Sequence, residues 1–420
     1  MSEWKTIKLQ FIAKVNMGQS PLSISVNRES IGLPFLQANA DFGDVNPIPQ
    51  CWCTSPRKIA KEKELLLSIR APVGEINIAD QDYCIGRGLS SICFFGIHNS
   101  FGYYAIQQNL SFLHRRSQGS TFLAVNKKDV SELPLFIPTG AAAAKEQAKI
   151  AEVLGAIDAV IEKTKAIIAK YQRIKEGTLQ DLLTNGIDEH GQIRSPKTHK
   201  YKPSKLGMIP MEWECVALNQ AVKVFSGSTP STASDANWNG DISWLTPADL
   251  SVVKYQYIWD SERHLTQTGL RNSTNRLLPA GSLILSSRAP VGYCAIVPMP
   301  FSFNQGCKGL VPRQYVDPSF LCYLLATQKK AFERFSSGTT FLEFPKKELA
   351  RFLLKMPKRN EVGIIEQRHI SLKLQQIDSV LERHDETLAK LELQKQGLMQ
   401  DLLTNRVSVE PLLKKRGQAS

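Results

Sequence analysis

No segment of this 420-residue chain approaches the roughly 18–20 unbroken apolar residues that a membrane-spanning helix needs. The opening residues, MSEWKTIKLQFIAK, lack the apolar core and small-residue cleavage site of a secretory signal, so a cytoplasmic protein is expected. The eight cysteines (Cys51, Cys53, Cys84, Cys93, Cys215, Cys294, Cys307 and Cys322) contain no C-x-x-C pair, and no Cys/His spacing fits a structural zinc. Reduced thiols and no metal of its own are the expectation.

Catalytic signatures are missing as well. There is no G-x-x-x-x-G-K-[ST] loop to cradle nucleotide phosphates. GRGL at 86–89 begins like a glycine-rich cofactor loop but lacks the third glycine and a βαβ setting. No N-P-P-[YF] element marks an amino-methyltransferase, and no paired carboxylates with a following lysine mark a nuclease. The seven histidines are scattered along the chain: two lie in a polar linker (His190, His199) and one in a helix seam (His384). Structural or solvated roles are expected of them, and a non-catalytic chain without a cofactor follows.

What is present is a repeat. Residues 146–187, ending in QDLLTNGI, align without a gap with residues 366–407, ending in QDLLTNRV, 220 positions later. Apolar residues step 4-3-4-3 through Ile150, Leu154, Ile157, Ile161, Ile168 and Leu182, and again through Ile370, Leu374, Ile377, Leu381, Leu388 and Leu402. That period is a heptad seam, interrupted at equivalent positions by Thr164 and His384 and by Lys175 and Lys395. A helix of this length is on the order of 55–60 Å and cannot bury its stripe alone. Antiparallel packing of the two helices as a coiled coil suits an approximate internal twofold. Gly177 and Gly397 are expected to weaken the last turns, as a bend before QDLLTN.

The globular segments repeat too. Trp4 and Trp213 each open a half, MGQSP (17–21) pairs with SGSTP (226–230), and LLSIRAPVG (66–74) pairs with LILSSRAPVG (283–292). GRGL (86–89) resembles GCKGL (306–310), and RRSQGSTFLAVNKKDVSELPLFIP (115–138) pairs with RFSSGTTFLEFPKKELARFLLKMP (334–357). Short apolar strands punctuated by Pro and Gly, with helices over 101–110 and 318–332, make each segment mixed α/β. The organisation read from the chain is therefore a globular segment 1–145, a helix 146–187, a linker 188–212, a second globular segment 213–365, a helix 366–407 and a basic tail 408–420.

Net charge is +13, and ten of those charges sit on the globular parts. Residues 1–145 hold 15 Lys and Arg against 11 Asp and Glu, and residues 213–365 hold 17 against 11. The helix 146–187 has six of each sign. Phosphate contact by the globular segments and protein contact by the helices fits this distribution. Donor-rich loop positions are the candidates for DNA contact. In the first half they are Gln19, Ser20, Arg70, Arg87, Ser117, Gln118, Ser120, Thr121, Lys127 and Lys128. In the second they are Ser228, Thr229, Arg288, Gln305, Lys308, Ser336, Ser337, Thr339, Thr340, Lys346 and Lys347. Elements shared by both halves, such as RAPVG, suit framework or phosphate contact, because identical elements cannot supply different base readers. Those readers are expected where the halves differ, at 22–33, 44–60, 231–241 and 254–276. Trp238, Trp244, Tyr255, Tyr257 and Trp259 are open to either core packing or contact with sugars and thymine methyls.

The QDLLTN helix ends, the central DEHGQIRSPKTHKYKPSKLGMIPMEWECVAL, the paired RAPVG strands and the GSTF/GTTF elements resemble the specificity subunit of type I restriction–modification systems. The resemblance covers nearly the whole chain in the family's order. It implies that 1–145 and 213–365 are target recognition domains, each reading one half of a gapped DNA sequence. It also implies that the helices set the gap and dock two methylation subunits. S-adenosylmethionine would then be bound by those partners, and ATP and Mg by restriction subunits. The residues leave three other readings open: a specificity subunit for another restriction–modification type, a helical scaffold without base-specific contacts, and a free-standing enzyme.

Overall fold

The computed structural model describes residues 2–117, 124–273, 277–336 and 345–415. The chain forms two compact units, residues 1–166 with 386–420, and residues 167–385.

In the first unit, strand Glu3–Lys8 pairs antiparallel with Pro134–Thr139, so the globular segment begins and ends side by side. A four-stranded antiparallel sheet follows in the order Ala13–Met17, Leu89–Phe94, Leu65–Ser68, Ile76–Ile78. The run Leu65–Leu66–Leu67 has no polar alternation because both faces of this sheet are covered. Leu65 and Leu67 point into one apolar cluster with Phe101, Ile106 and Leu113, while Leu66 points into another with Leu36, Tyr83 and Ile85. A second sheet of five short strands, Val26–Asn27, Cys51–Cys53, Leu33–Leu36, Tyr83–Ile85 and Ile59–Ala60, lies beyond it in the chain's topology.

The second unit repeats the plan. Trp213–Ala217 pairs with Leu353–Pro357, and Val222–Ser226, Cys307–Pro312, Leu283–Ser286 and Cys294–Ile296 form the same strand order. Leu283 and Leu285 again face one cluster and Ile284 the other. The second sheets diverge: here there are three strands, His264–Leu265, Trp238–Leu245 and Ser302–Phe303. Both keep one parallel pair, Leu33–Leu36 with Tyr83–Ile85 and Trp238–Leu245 with Ser302–Phe303. The divergent strands carry the segments in which the two halves of the sequence differ.

The repeated blocks are helices of 43 residues each, Ala143–Asn185 and Glu361–Leu403. Within each unit their halves run antiparallel. In the first unit, Ile150 and Leu154 share a cluster with Met399, Leu402 and Leu403. The apolar core therefore runs on from the globular segment into the helices. The helices run unbroken through Gly177 and Gly397. A side chain at either glycine would meet nothing within 4 Å, so both lie on open faces. The single helix expected over 318–332 is two, Pro318–Ala326 and Lys329–Ser336. At the break, the Thr327 hydroxyl donates back to the Leu324 carbonyl at 2.7 Å, competing with the helix ladder. Asn109 does the same to Ala105 between Asn99–Gln108 and Leu110–Ser117.

Residues 188–212 are ordered within the second unit. Asp188 accepts the backbone N–H groups of His190 and Gln192, and Tyr201–Ser204 forms a hairpin with Gly207–Pro210. All eight cysteines are free thiols.

Candidate nucleic-acid interface

In the first unit, four chain segments converge on one end of the four-stranded sheet. The turn after Ala13–Met17 meets the loop before Leu89–Phe94: Gly18 N donates to Leu89 O and Gln19 N to Ile85 O, both at 2.9 Å. The contact is so close that a Cβ on Gly18 would lie 2.1 Å from the Gly86 carbonyl oxygen, which only glycine allows. The RAPVG loop joins them through Ile69 N to Gly88 O, and residues 124–125 through Val125 N to Ile69 O. Arg70 pairs by its backbone with Ala124.

This convergence brings Gln19, Ser20, Arg70 and Arg87 together. The Ser20 hydroxyl donates to Gln37 Oε1 at 3.2 Å and accepts the Arg87 N–H at 3.4 Å. Gln19, Arg70 and Arg87 are exposed. Arg57 and Lys58, exposed and adjacent through the bond from Ile85 N to Lys58 O, add charge from the segment 44–60, one of those in which base readers are expected. Lys127 and Lys128 are exposed at the start of helix Lys127–Ser131, whose Asn126 caps the N–H groups of Lys128 and Asp129. Asp129 in turn is paired with Arg116 at 3.2 Å. Ser117 is buried and spends its hydroxyl on the His114 carbonyl.

The second unit builds the same end from its own residues. Ser228 N donates to Phe303 O, and a Cβ on Gly227 would lie 2.0 Å from the Asn304 carbonyl oxygen. Ser287 N and Arg288 N both donate to Gly306 O. The Thr229 hydroxyl donates to the Gln305 side-chain oxygen. Arg288, Thr229 and Gln305 are exposed, and Lys346 and Lys347 are exposed at the head of helix Lys346–Arg351. Lys308 differs: it is 4% exposed, with its ammonium on the Gln305 carbonyl at 3.1 Å, so it shapes the loop from inside. Gln118, Ser120, Thr121, Ser337, Thr339, Thr340 and the side chain of Ser336 lie outside the described residues.

The RAPVG elements share more than sequence. Both contain a cis X-Pro bond, Ala71–Pro72 and Ala289–Pro290, and both close with a positive-φ glycine, Gly74 and Gly292. In each, a buried serine at the strand end accepts a backbone N–H from beyond the turn, Ser68 from Glu75 and Ser286 from Tyr293. These hydrogen bonds make the turns framework, presenting Arg70 and Arg288 at matching places.

The aromatic candidates divide. Trp238 and Trp244 are buried, edge to face at 5.0 Å, and their indole N–H groups hold Ser231 O and Ser228 O at 3.1 Å. They anchor the loop that carries Ser228 and Thr229. The Arg263 guanidinium lies 3.6 Å from the Trp238 ring centroid, a contact with no local signal in the sequence. Tyr255 donates to Asp385. Tyr257 and Trp259 stay exposed, their rings 6.2 Å apart. Among the described residues, no group of three or more His, Cys, Asp and Glu could hold a metal ion, and no helix is long and apolar enough to cross a membrane.

The model of the type I restriction modification DNA specificity domain matches this chain twice, over residues 1–173 and 210–393. This chain belongs to that specificity-domain family. Each match takes in one globular segment and the greater part of the long helix after it, which is the duplicated module of the fold. Among curated members, the MjaIX specificity subunit of Methanocaldococcus jannaschii is 33% identical over 200 residues, 46% of this chain and 45% of that protein. The putative MjaX specificity subunit of the same organism is 35% identical over 189 residues, 44% of each chain. These matches span just under half the length of either relative. The EcoR124I/EcoR124II specificity subunit of Escherichia coli is 24% identical over 207 residues, 48% of this chain and 50% of that protein. A crystal structure of the S subunit of a type I restriction–modification system from M. genitalium aligns over 96% of both chains with a TM-score of 0.60 and 14% identity. At that identity the likeness concerns the specificity-domain fold alone.

Proposed function

We propose that this chain is the non-catalytic DNA-specificity subunit of a type I restriction–modification complex. The observation that carries the proposal is the duplication: two copies of one sheet-and-loop module, each matched by the specificity-domain model. Each module reads one half of a bipartite, gapped target in double-stranded DNA. Exposed Arg and Lys at the loop ends hold phosphates in a sequence-independent way, and the divergent second sheets supply base contacts. Arg favours guanine and Asn or Gln favours adenine. The paired helices set the gap, as dimer geometry sets half-site spacing in other binders, and dock two methylation subunits. Those subunits bind S-adenosylmethionine; restriction subunits bind ATP and Mg. The protein works in the cytoplasm and touches no membrane.

Methylome sequencing tests this. A host expressing the chain with a cognate methylation subunit is compared with the same host lacking the chain. A new methyladenine mark on a bipartite, gapped motif is expected. A stable complex with an active methylation subunit that leaves no new mark overturns the proposal.

A further inference from the structure

One side-chain cluster on the long helices occurs twice, once in each unit. In the first unit the Tyr104 hydroxyl donates to Asp158 Oδ2 at 2.7 Å, and the Lys395 ammonium sits 2.8 Å from Asp158 Oδ1. In the second the Tyr323 hydroxyl donates to Asp378 Oδ2 at 2.6 Å, and the Lys175 ammonium sits 2.6 Å from Asp378 Oδ1. In both, the lysine nitrogen is 5.9 Å from the tyrosine ring centroid. The helices exchange roles: the first supplies Asp158 to one unit and Lys175 to the other, and the second supplies Lys395 and Asp378. The tyrosines come from the globular segments, on helices Asn99–Gln108 and Pro318–Ala326. Each carboxylate thus joins three elements through two different oxygens.

Such a junction does what an apolar seam does not. Isoleucine and leucine at heptad positions repack after a slip of one heptad with little loss. After such a slip Asp158 would face Leu388 or Leu402 instead of Lys395, and Asp378 would face Ile168 or Leu182 instead of Lys175. A slip of a single residue shifts the partner by about 1.5 Å along the axis and turns it by about 100° around the helix, off the seam and away from the carboxylate. Burial first, then the neighbouring carboxylate, raises the pKa of both phenols, so each tyrosine remains a donor at all ordinary pH values. A polar contact in a helix seam is the recognised means of selecting one register.

We infer that Asp158 and Asp378, with Tyr104 and Tyr323, are positioning residues. They hold each recognition segment at one level of the helix pair and so restrict the gap length that the complex accepts. This rests on the specificity-subunit reading above.

The test uses the full complex with its methylation subunits. Methyl transfer is measured on duplexes carrying the target motif with its native gap, with one base pair fewer and with one more. Asp158→Asn keeps the shape and removes the charge. It is expected to raise the ratio of off-gap to native-gap methylation about ten-fold, the effect of losing one charge-assisted contact. Tyr104→Phe removes a hydroxyl alone and should raise the ratio about three-fold. Tyr104→Phe is decisive if circular dichroism shows that Asp158→Asn fails to fold. A ratio that stays at the wild-type value, whether or not overall methylation falls, overturns the inference, since a merely structural role lowers all three rates together. A wild-type complex that methylates none of the gapped duplexes instead overturns the specificity-subunit reading itself.

Discussion

The guanidinium of Arg194 grips both carboxylate oxygens of Glu366, 172 residues further along the chain, at 2.5 and 3.1 Å. The same carboxylate accepts the Trp213 indole N–H at 2.9 Å and the Ile187 backbone N–H at 3.1 Å. Gly186, at φ +67°, lets the chain leave the first long helix against it, because a Cβ there would lie 2.3 Å from Glu366 Oε1. The counterpart in the first unit is Glu146, which accepts the Trp4 indole N–H at 3.3 Å. The linker is therefore a strap, fastened to the base of the second long helix beside the strand that opens the second globular segment.

Arg194→Met should cost about 3–5 kcal/mol of stability, because it leaves a buried carboxylate without its cation. Trp4→Phe at the first-unit counterpart should cost about 1 kcal/mol, the net value of one hydrogen bond. Urea unfolding of the two variants measures both. Equal losses would mean that the strap adds nothing to the second unit.

Glycines at two kinds of place should respond oppositely to alanine. Gly18→Ala and Gly227→Ala drive a Cβ into a carbonyl oxygen and should separate the loops that present Gln19, Arg87, Thr229 and Gln305, abolishing DNA binding by the altered half. Gly177→Ala and Gly397→Ala fill open space on helices and should each stabilise by about 0.5–1 kcal/mol without touching recognition. Melting temperature and DNA-binding titration on the four variants separate the outcomes.

Burial, then the bond to Asp80, pushes the Tyr83 phenol up to about 12. A raised tyrosine favours the folded state while it stays protonated. Its contribution is complete below pH 10, where the unfolded phenol titrates, and is lost as the pH rises from 10 towards 12. Because each tenfold change in proton affinity is worth about 1.4 kcal/mol, the full contribution is about 2–3 kcal/mol. Tyr83→Phe should therefore lose less stability than the wild type between pH 10 and 12. Parallel unfolding curves for the two proteins across that window would contradict it.

Arg87→Ala distinguishes phosphate contact from base reading. If Arg87 meets phosphate, the slope of log affinity against log salt should fall by about 0.9 for all sequences alike. If it reads guanine, discrimination at one base pair of the first half-site should fall by about 1–3 kcal/mol. Binding isotherms at several salt concentrations, on the target and on single-base variants, decide between them. An unchanged slope with unchanged discrimination would remove Arg87 from the interface.

Much of this architecture is legible in the order of the amino acids. Strands such as Leu65–Ser68 and Leu283–Ser286, the two long helices and the duplicated order of elements all follow from local pattern. The convergence of Gln19, Ser20, Arg70 and Arg87 is legible there only as a set of donors; their proximity depends on backbone bonds such as Gly18 N to Leu89 O, made across 71 residues of chain. Arg57, Lys58 and Arg263 fall in segments 44–60 and 254–276, which the sequence marks only by the difference between its halves; their individual neighbours come from strands distant in sequence. Lys308 looks like any basic loop residue, and its burial is a property of the closed loop around it.

The sequence by itself determined the duplication, the strand and helix periods and the placement of net charge, because periodicity and composition are properties of neighbouring residues. The tertiary structure decided which groups meet. Lys175 and Lys395, which read as defects in an apolar seam, face Asp378 and Asp158. The segment 188–212, which reads as a break, is held by a buried ion pair. Trp238 and Trp244, which by sequence favour core packing over contact with DNA, are buried against each other. In each case the outcome depends on a partner far along the chain, and the register that brings it near is set by the packing of whole elements.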